Sequence, residues 1–402
     1  MIIGAGISGL VAARILADRG RRVLVVDRSS TLGGRVRSVT LGSATVDAGA
    51  THIWSFYSRT RAWLQQLGLG NELIPAGGMG ALGASWRDLP GVVRSGFDVA
   101  RFWRRLDFSH PERAAPFDSA SIRDYASHHL REQLTLSSLI PAFEWNAFCS
   151  LEELSQVLLL QSGRLFLGAR PYRLKGGLQQ FPERLARGLD VRLGPQHTVK
   201  SLAHGPHLVV ARLANGSVID CSAVVVATGP GEAADLVDVV PAEGRFLRGV
   251  GHSAVVREWR ELRGPLTSQS EPLRLALGER LQGVALARPA LGNLLVSLAL
   301  YGPGVREMGD GKVQTALERL GGELVPRWNQ SLPVARAGYR WPRAVTIFSP
   351  GHFRSLAQLR LGQLRGRVVL AGDYLVSPTV EGAAVSGQRA AAEVMRLPIL
   401  DE

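Results

Sequence analysis

The sequence predicts an α/β fold in which a Rossmann-like, dinucleotide-binding domain carries a second, α+β domain. Three observations predict it. The chain opens on a strand, a glycine-rich turn and a helix in the order of a βαβ unit. Short apolar runs of the kind that form buried parallel strands recur near its middle and its C-terminal end. A length of 402 residues, at roughly 100–200 per domain, calls for two or three domains or for one nucleotide-binding domain with a large insertion. With 46% hydrophobic and 20% charged residues the chain can bury a sizeable core, and neither a disordered nor a fibrous class fits.

Ile2-Ile3 reads as a short strand end, Gly4-Ala5-Gly6-Ile7-Ser8-Gly9 as G-x-G-x-x-G, Leu10 to Arg19 as a helix, and Val23 to Val26 as a buried parallel strand that ends in Asp27. Gly4 permits the tight turn, Gly6 lets the backbone approach a pyrophosphate, and Gly9 lets helix and strand pack closely. Ile7 and Ser8 then present the unpaired N–H groups of the helix start to the phosphates. Asp27, 18 residues past Gly9, accepts hydrogen bonds from ribose hydroxyls and disfavours a 2′-phosphate, and Arg28 follows it at the same end. Strand, helix, strand and terminal acid together make the signal specific where a lone glycine motif is weak.

Gly33-Gly34-Arg35-Val36 follows the second strand, and Val46-Asp47-Ala48-Gly49-Ala50-Thr51 comes next. Here the chain resembles the superfamily of FAD-dependent amine oxidases, protoporphyrinogen oxidases and phytoene-type desaturases: these segments are similar to its G-G-R and D-x-G motifs. Tyr172 to Leu178 resembles the K-G-G element, Val224 to Pro230 the A-T-G strand, and Leu370-Ala371-Gly372-Asp373 to Gly387 the C-terminal FAD motif. The resemblance implies FAD, with Gly33, Gly34, Arg35, Gly49, Ala50, Thr51, His52, Val199, Ala227, Thr228 and Gly229 at the cofactor. Gly372 and Asp373 would meet its pyrophosphate-ribityl end, and Thr379, Val380, Glu381 and Ala384 would start the helix whose N–H groups stabilise charge on the reduced ring. It further implies a discontinuous (GR2-type) FAD-binding domain from residues 1–74, 175–240 and 346–402, and a substrate domain from 75–174 and 241–345. Residues 75–174 show helix-like apolar spacing at Phe97–Leu106, Ser121–Leu136 and Leu151–Leu160; Ser253–Val256, Gln282–Ala287 and Asn293–Leu300 read as strands of a second sheet. Asn215-Gly216 between apolar runs marks a hairpin.

Flavin amine oxidases often carry a lysine near flavin N5 and an aromatic residue just before the C-terminal E-G-A helix. This chain has His252 and Arg257 in the first region and Thr379-Val380 in the second. Tyr339 to Val345, with Pro350-Gly351-His352, resembles the W-x-x-A…G-H segment of protoporphyrinogen oxidases, as does Glu152-Glu153-Leu154-Ser155. The expected reaction is dehydrogenation of a bulky, mostly apolar small molecule by hydride transfer to N5. The alternatives are an amine oxidase releasing hydrogen peroxide and a flavoprotein without turnover. No acid or base is assigned; His52, Trp341 and Thr379 are the candidates beside the flavin, and His52 with Trp54 reads equally as a packed pair beneath it.

The net charge of +13 raises nucleic-acid binding, but only Lys175, Lys200 and Lys312 are lysines. The arginines are scattered without a basic block or an aromatic-basic signature, so that class is excluded. No run of 18 apolar residues exists to span a membrane, although Val92 to Leu106 mixes aromatics and arginines as a peripheral, interfacial helix would. Cys149 and Cys221 form neither a disulfide framework nor a metal cluster, and no metal is expected. With no export segment before the glycine turn, a cytoplasmic location is expected, with membrane association through that helix as the variant. The same cysteines lie away from the expected flavin ring, so the FAD is expected to be non-covalent.

Overall fold

The computed structural model describes all residues except 43, 77–88, 166–168, 206, 265–272, 278–279, 291, 328, 330, 360–365 and 399–402; the side chains of 89–95, 137–138, 141 and 289–290 also lie outside the described set. Five parallel strands form the nucleotide-binding sheet, in the order Val368–Leu370, Val224–Val226, Ile2–Ile3, Leu24–Asp27, Asp190–Leu193. Strand alternation sorts their side chains by face. Ile2, Val25, Val225 and Val369 share a core with the helices Ile7–Asp18 and Val380–Met395. Ile3, Val26, Val226 and Leu370 pack on the opposite face, against the antiparallel strands Val199–His204, Val209–Leu213 and Val218–Cys221 and the helix Pro230–Leu236. Both faces of the first four strands in that order are covered, which is why those strands are apolar runs, whereas the edge strand Asp190–Leu193 alternates exposed and half-buried residues. The two helices on the first face approach closely because Gly387 has no side chain: a Cβ there would lie 2.3 Å from the Ser8 carbonyl oxygen.

A second, antiparallel sheet runs Leu273–Ala276, Gln282–Ala290, Asn293–Tyr301, Val255–Arg263, Pro333–Trp341. Val256, Leu294, Val296, Leu298 and Leu300 pack against Val313, Leu317, Leu320 and Leu324 of the helix Asp310–Leu324. The alternate residues, including Val255, Arg257, Trp259, Leu295, Ser297, Ala299, Tyr339 and Trp341, line a cavity. This sheet departs from the sequence expectation: Leu273–Ala276 and Pro333–Trp341 are additional strands, and the strand at Gln282 runs on to Ala290. The strand expected to end at Val256 continues to Arg263, because its polar residues find partners in the sheet: Arg260 pairs with Glu258 at 2.5 Å, both buried. The strand Pro333–Trp341 was not foreseen, because its half-buried alternation carries few large apolar side chains.

The helical part comprises Leu89–Phe102, Ile122–His129, Gln156–Leu165 and a π-helical run, Thr135–Glu144. The helix expected over Ser121–Leu136 starts at a capping box between Ser121 and Asp124 but stops at His129, where Leu130 turns extended (φ −121, ψ 159). The helix expected from Leu151 begins only at Gln156, where the Ser155 hydroxyl accepts from the Val157 N–H. Chain entry to and exit from this part are adjacent, since Pro75 pairs with Tyr172. The stem of the second sheet closes likewise, through Ser253 N–H to the Val345 carbonyl and Ala344 N–H to the Ser253 carbonyl.

Candidate active site

A cavity of ≈ 1420 Å³ lies between the carboxyl ends of the parallel strands, one face of the antiparallel sheet and the helical part. Parallel strands leave their ligand crevice at this end because the chain turns there into helices whose N-termini face the opening. The volume exceeds the roughly 300–1,000 Å³ of a single-ligand pocket, so a dinucleotide and a second molecule fit together.

The nucleotide end is built by the glycine turn. Gly4 takes φ +109, and a Cβ there would meet the Ala227 carbonyl oxygen at 2.5 Å. At Gly6 a Cβ would meet nothing within 4 Å, leaving an open cradle in front of the helix Ile7–Asp18, whose N-terminus no side chain caps. Asp27 closes the turn: its carboxylate accepts from Ala5 N–H at 2.6 Å and Ser29 N–H at 2.7 Å while still lining the cavity. Arg28 and Arg343 both pair with Glu232 on this wall, and Val199, Ala227, Thr228 and Gly229 complete it. The buried Nε of Arg37, Nδ1 of His197 and one Glu232 carboxylate oxygen have no hydrogen-bond partner, although their residues line the cavity. Open cradle, uncapped helix and orphaned polar atoms fit a polar, phosphate-bearing occupant.

Further along, Gly33, Gly34, Gly49, Ala50, Thr51, Gly372, Thr379 and Val380 form the wall. Arg35 binds Asp373 at 2.5 Å, and the Thr346 hydroxyl donates to the other Asp373 oxygen at 2.8 Å. Burial opposes ionisation of Asp373, but Arg35 and these hydrogen bonds outweigh it and hold the carboxyl below its usual range. His52, hydrogen-bonded to Thr51 at 2.8 Å, is pushed down to about 4 by burial and by Arg257 and Arg173. His252 is likewise pushed down to about 4, by burial and then Arg35. Both imidazoles are neutral at pH 7. Trp341 donates its indole N–H to the Ala48 carbonyl at 2.7 Å and lies 4.6 Å from the Tyr339 ring.

Three residues expected at the cofactor lie elsewhere. Gly9 serves packing, since a Cβ would sit 1.9 Å from the Gly4 carbonyl oxygen. Ala384 is fully buried in the core. The Glu381 carboxylate turns away from the cavity to the start of the helix Ser58–Gln66, accepting from Arg59 N–H (2.9 Å), Thr60 N–H (2.8 Å) and the Thr60 hydroxyl (2.8 Å). Glu381 is the second residue of its own helix, and the start of the neighbouring helix, with its unpaired N–H groups, attracts its carboxylate.

Sequence reasoning missed Tyr57, a buried wall residue whose phenol shares a hydrogen bond with Thr379 and whose pKa burial raises. It also missed the aromatic ring of Phe56, Phe108, Phe143, Trp145 and Phe148. Phe148 holds a left-handed backbone (φ 57), a conformation costly for a residue with a Cβ. Arg257 was noted only as a replacement for lysine; the alternation Val255, Arg257, Trp259 was the signal that all three face one way.

Fold and site together define a dinucleotide-binding flavoprotein of the oxidoreductase class. The family profile described as flavin containing amine oxidoreductase matches residues 7–257, more than half of the chain, and the chain belongs to that family. Among curated relatives, hydroxyneurosporene desaturase of Rubrivivax gelatinosus is 49% identical over 51 residues, covering 13% of this chain and 10% of that protein. Flavin-containing amine oxidase A of Equus caballus is 24% identical over 270 residues, covering 57% of this chain and 49% of that protein. The chain therefore spans about half, or less, of the length of these relatives. Two solved structures share the fold over 98% of both chains: a redesigned putrescine oxidase (TM-score 0.77, 17% identity) and cyclohexylamine oxidase of Brevibacterium oxydans IH-35A (TM-score 0.73, 19% identity).

Proposed function

We propose that the protein is an FAD-dependent oxidoreductase that dehydrogenates a bulky, mostly apolar substrate, with the FAD-binding domain in residues 1–74, 175–240 and 346–402 and the substrate domain in 75–174 and 241–345. The observation that carries the reading is the composition of the wall beyond the nucleotide. Phe56, Phe108, Phe143, Trp145, Phe148, Leu154 and Leu158 face Val284, Leu286 and Leu295 of the sheet. Among the described residues of the wall, every carboxylate is engaged: Asp27 by backbone N–H groups, Asp47 by Ser38 and Leu178, Glu232 and Asp373 by arginines, Asp235 by Arg248. The one lysine of the wall, Lys200, belongs to the strand beside Val199. A substrate ammonium would lose its hydration there for no counter-charge, at a cost of several kcal/mol.

Bound FAD supplies a hydride acceptor at N5. The chain's own residues do the rest: the glycine turn and Asp27 hold the nucleotide, the Arg35–Asp373–Thr346 cluster fixes the wall at Gly372, neutral His52 and His252 add no charge, and the aromatic ring excludes water and orients the substrate. Tyr57 beside Thr379 favours a second reading, an amine oxidase in which that phenol serves as the aromatic face missing at Thr379. Anaerobic stopped-flow mixing decides between them. Fast flavin reduction by a porphyrinogen, polyene or ring-containing apolar donor, with none by spermine, benzylamine or tyramine, is expected; saturable reduction by an amine and by no apolar donor establishes the second reading. Reduction by neither makes the protein a flavoprotein without turnover.

The chain meets small molecules rather than nucleic acid in this reading. Among the described residues no helix is long and apolar enough to cross a membrane. Exposed Phe97 and Trp103, together with Arg101, Arg104 and Arg105, support peripheral contact with a membrane surface; Val92 to Ser95 of that segment lie outside the described side chains. Sedimentation with anionic vesicles, abolished by F97S/W103S, tests it.

A further inference from the structure

We propose that Arg257 and Arg173, grouped around His52, bind an anionic group of the substrate, so that the apolar molecule carries an acid, in the simplest case a carboxylate. The inference rests on the substrate reading above and deepens it.

All three side chains line the cavity. Ile53 pairs with Tyr172 in antiparallel register, which sets His52 opposite Arg173 with both side chains on one face. Arg257 comes from the facing sheet, between Val255 and Trp259 of the same wall. Arg257 is half-buried, lines the cavity and holds its guanidinium 4.7 Å from the Trp259 ring.

Its partners are all neutral. Nη1 reaches the Asp47 and Gly49 carbonyls only at 3.4 Å, Nη2 donates to the Ser297 hydroxyl at 3.2 Å, and Nε is buried without a partner. Among the described residues no carboxylate forms an ion pair with Arg257 or Arg173. Asp47 is the acidic group near both, and its Oδ1 is taken by the Ser38 hydroxyl at 2.6 Å and Leu178 N–H at 2.8 Å. With His52 neutral, two guanidiniums against one carboxylate leave one positive charge in excess. An enclosed cation without a counter-ion is costly, and oxidised isoalloxazine is neutral, so the remaining occupant of the cavity, the substrate, supplies the anion. A guanidinium fork matches a carboxylate in shape, and its bonds to one are roughly twice as strong as neutral ones.

The FAD-loaded enzyme is titrated with 2-naphthoate and with 2-naphthamide, which share an apolar body and differ in charge, and the flavin absorbance change is followed. Naphthoate should bind at least about 10-fold tighter than naphthamide. R257Q should weaken naphthoate by about 10- to 100-fold and leave naphthamide unchanged, R173Q should act in the same direction, and R257K should restore part of the loss. Readings are taken on the FAD-loaded fraction, and if R257Q fails to fold, R173Q and R257K carry the comparison. Equal affinities of acid and amide, or no binding of either, overturn the proposal. So does an R257Q variant that shifts the flavin potential without changing acid-over-amide preference, since Arg257 then serves the flavin. The titration reads binding rather than turnover, so it stands or falls separately from the flavin-reduction screen.

Discussion

Replacing Glu381 by glutamine separates two roles that the C-terminal FAD motif leaves merged. Glu381 is 6% exposed, and its two oxygens take the backbone N–H groups of Arg59 and Thr60 and the hydroxyl of the fully buried Thr60. In E381Q, either orientation of the amide turns an NH₂ toward a backbone N–H. One buried donor is then unsatisfied, at about 1–3 kcal/mol. Loss of the negative charge at a helix start removes about 0.3–1 kcal/mol, up to about 2 in a partly buried setting. The sum, about 1–5 kcal/mol, is a large part of the roughly 5–15 kcal/mol by which proteins are stable. Urea unfolding of the apoprotein should show this loss as a lower midpoint at unchanged slope, while FAD titration of the folded variant gives the wild-type Kd within a factor of about three. A variant of wild-type stability that binds FAD much more weakly would refute the reasoning, because the carboxylate would then be serving the cofactor.

Asp27→Ala should weaken FAD by about 1.5–3 kcal/mol for the lost charge-assisted acceptor, measured by fluorescence titration of the apoprotein; it should also loosen the turn held through Ala5 and Ser29. Gly6→Val should fold as the wild type, since no protein atom lies within 4 Å of the new Cβ, yet lose FAD altogether; a yellow Gly6→Val protein would misplace the pyrophosphate. Acid precipitation should release all flavin, because Cys149 and Cys221 are buried and neither lines the cavity; colour in the pellet would show a covalent bond. His352, packed among Phe246, Phe348 and Phe353, is pushed down to about 4 by burial. Since the unfolded chain takes up this proton near pH 6.5, its contribution is present above that pH and lost as pH falls toward 4. About 3 kcal/mol of stability should disappear over that window. H352Q should flatten the dependence; an unchanged pH profile would show that His352 does not titrate there.

The nucleotide half of the site was legible because its chemistry is local. A glycine turn, the helix after it and the acid that ends the next strand are adjacent in the chain, and a backbone that must approach a pyrophosphate admits few residue types at Gly4 and Gly6. The apolar parallel strands were legible for a related reason: burial on both faces leaves one composition. Tertiary structure decided what depends on residues far apart in sequence. Whether Glu381 met the cofactor or the helix start at Arg59 depended on which element lay beside it. The strand through Arg257 to Arg263 was hidden because its charged run finds partners that only folding brings in: Arg260 donates to the Leu317 carbonyl and Glu261 accepts from the Asn293 amide. The substrate wall was the least legible of all, because alternation places Arg257 and Trp259 on one face without saying what faces them. It is assembled from Phe56, Phe148, Val284 and Trp341, whose separation along the chain carries no mark of their meeting.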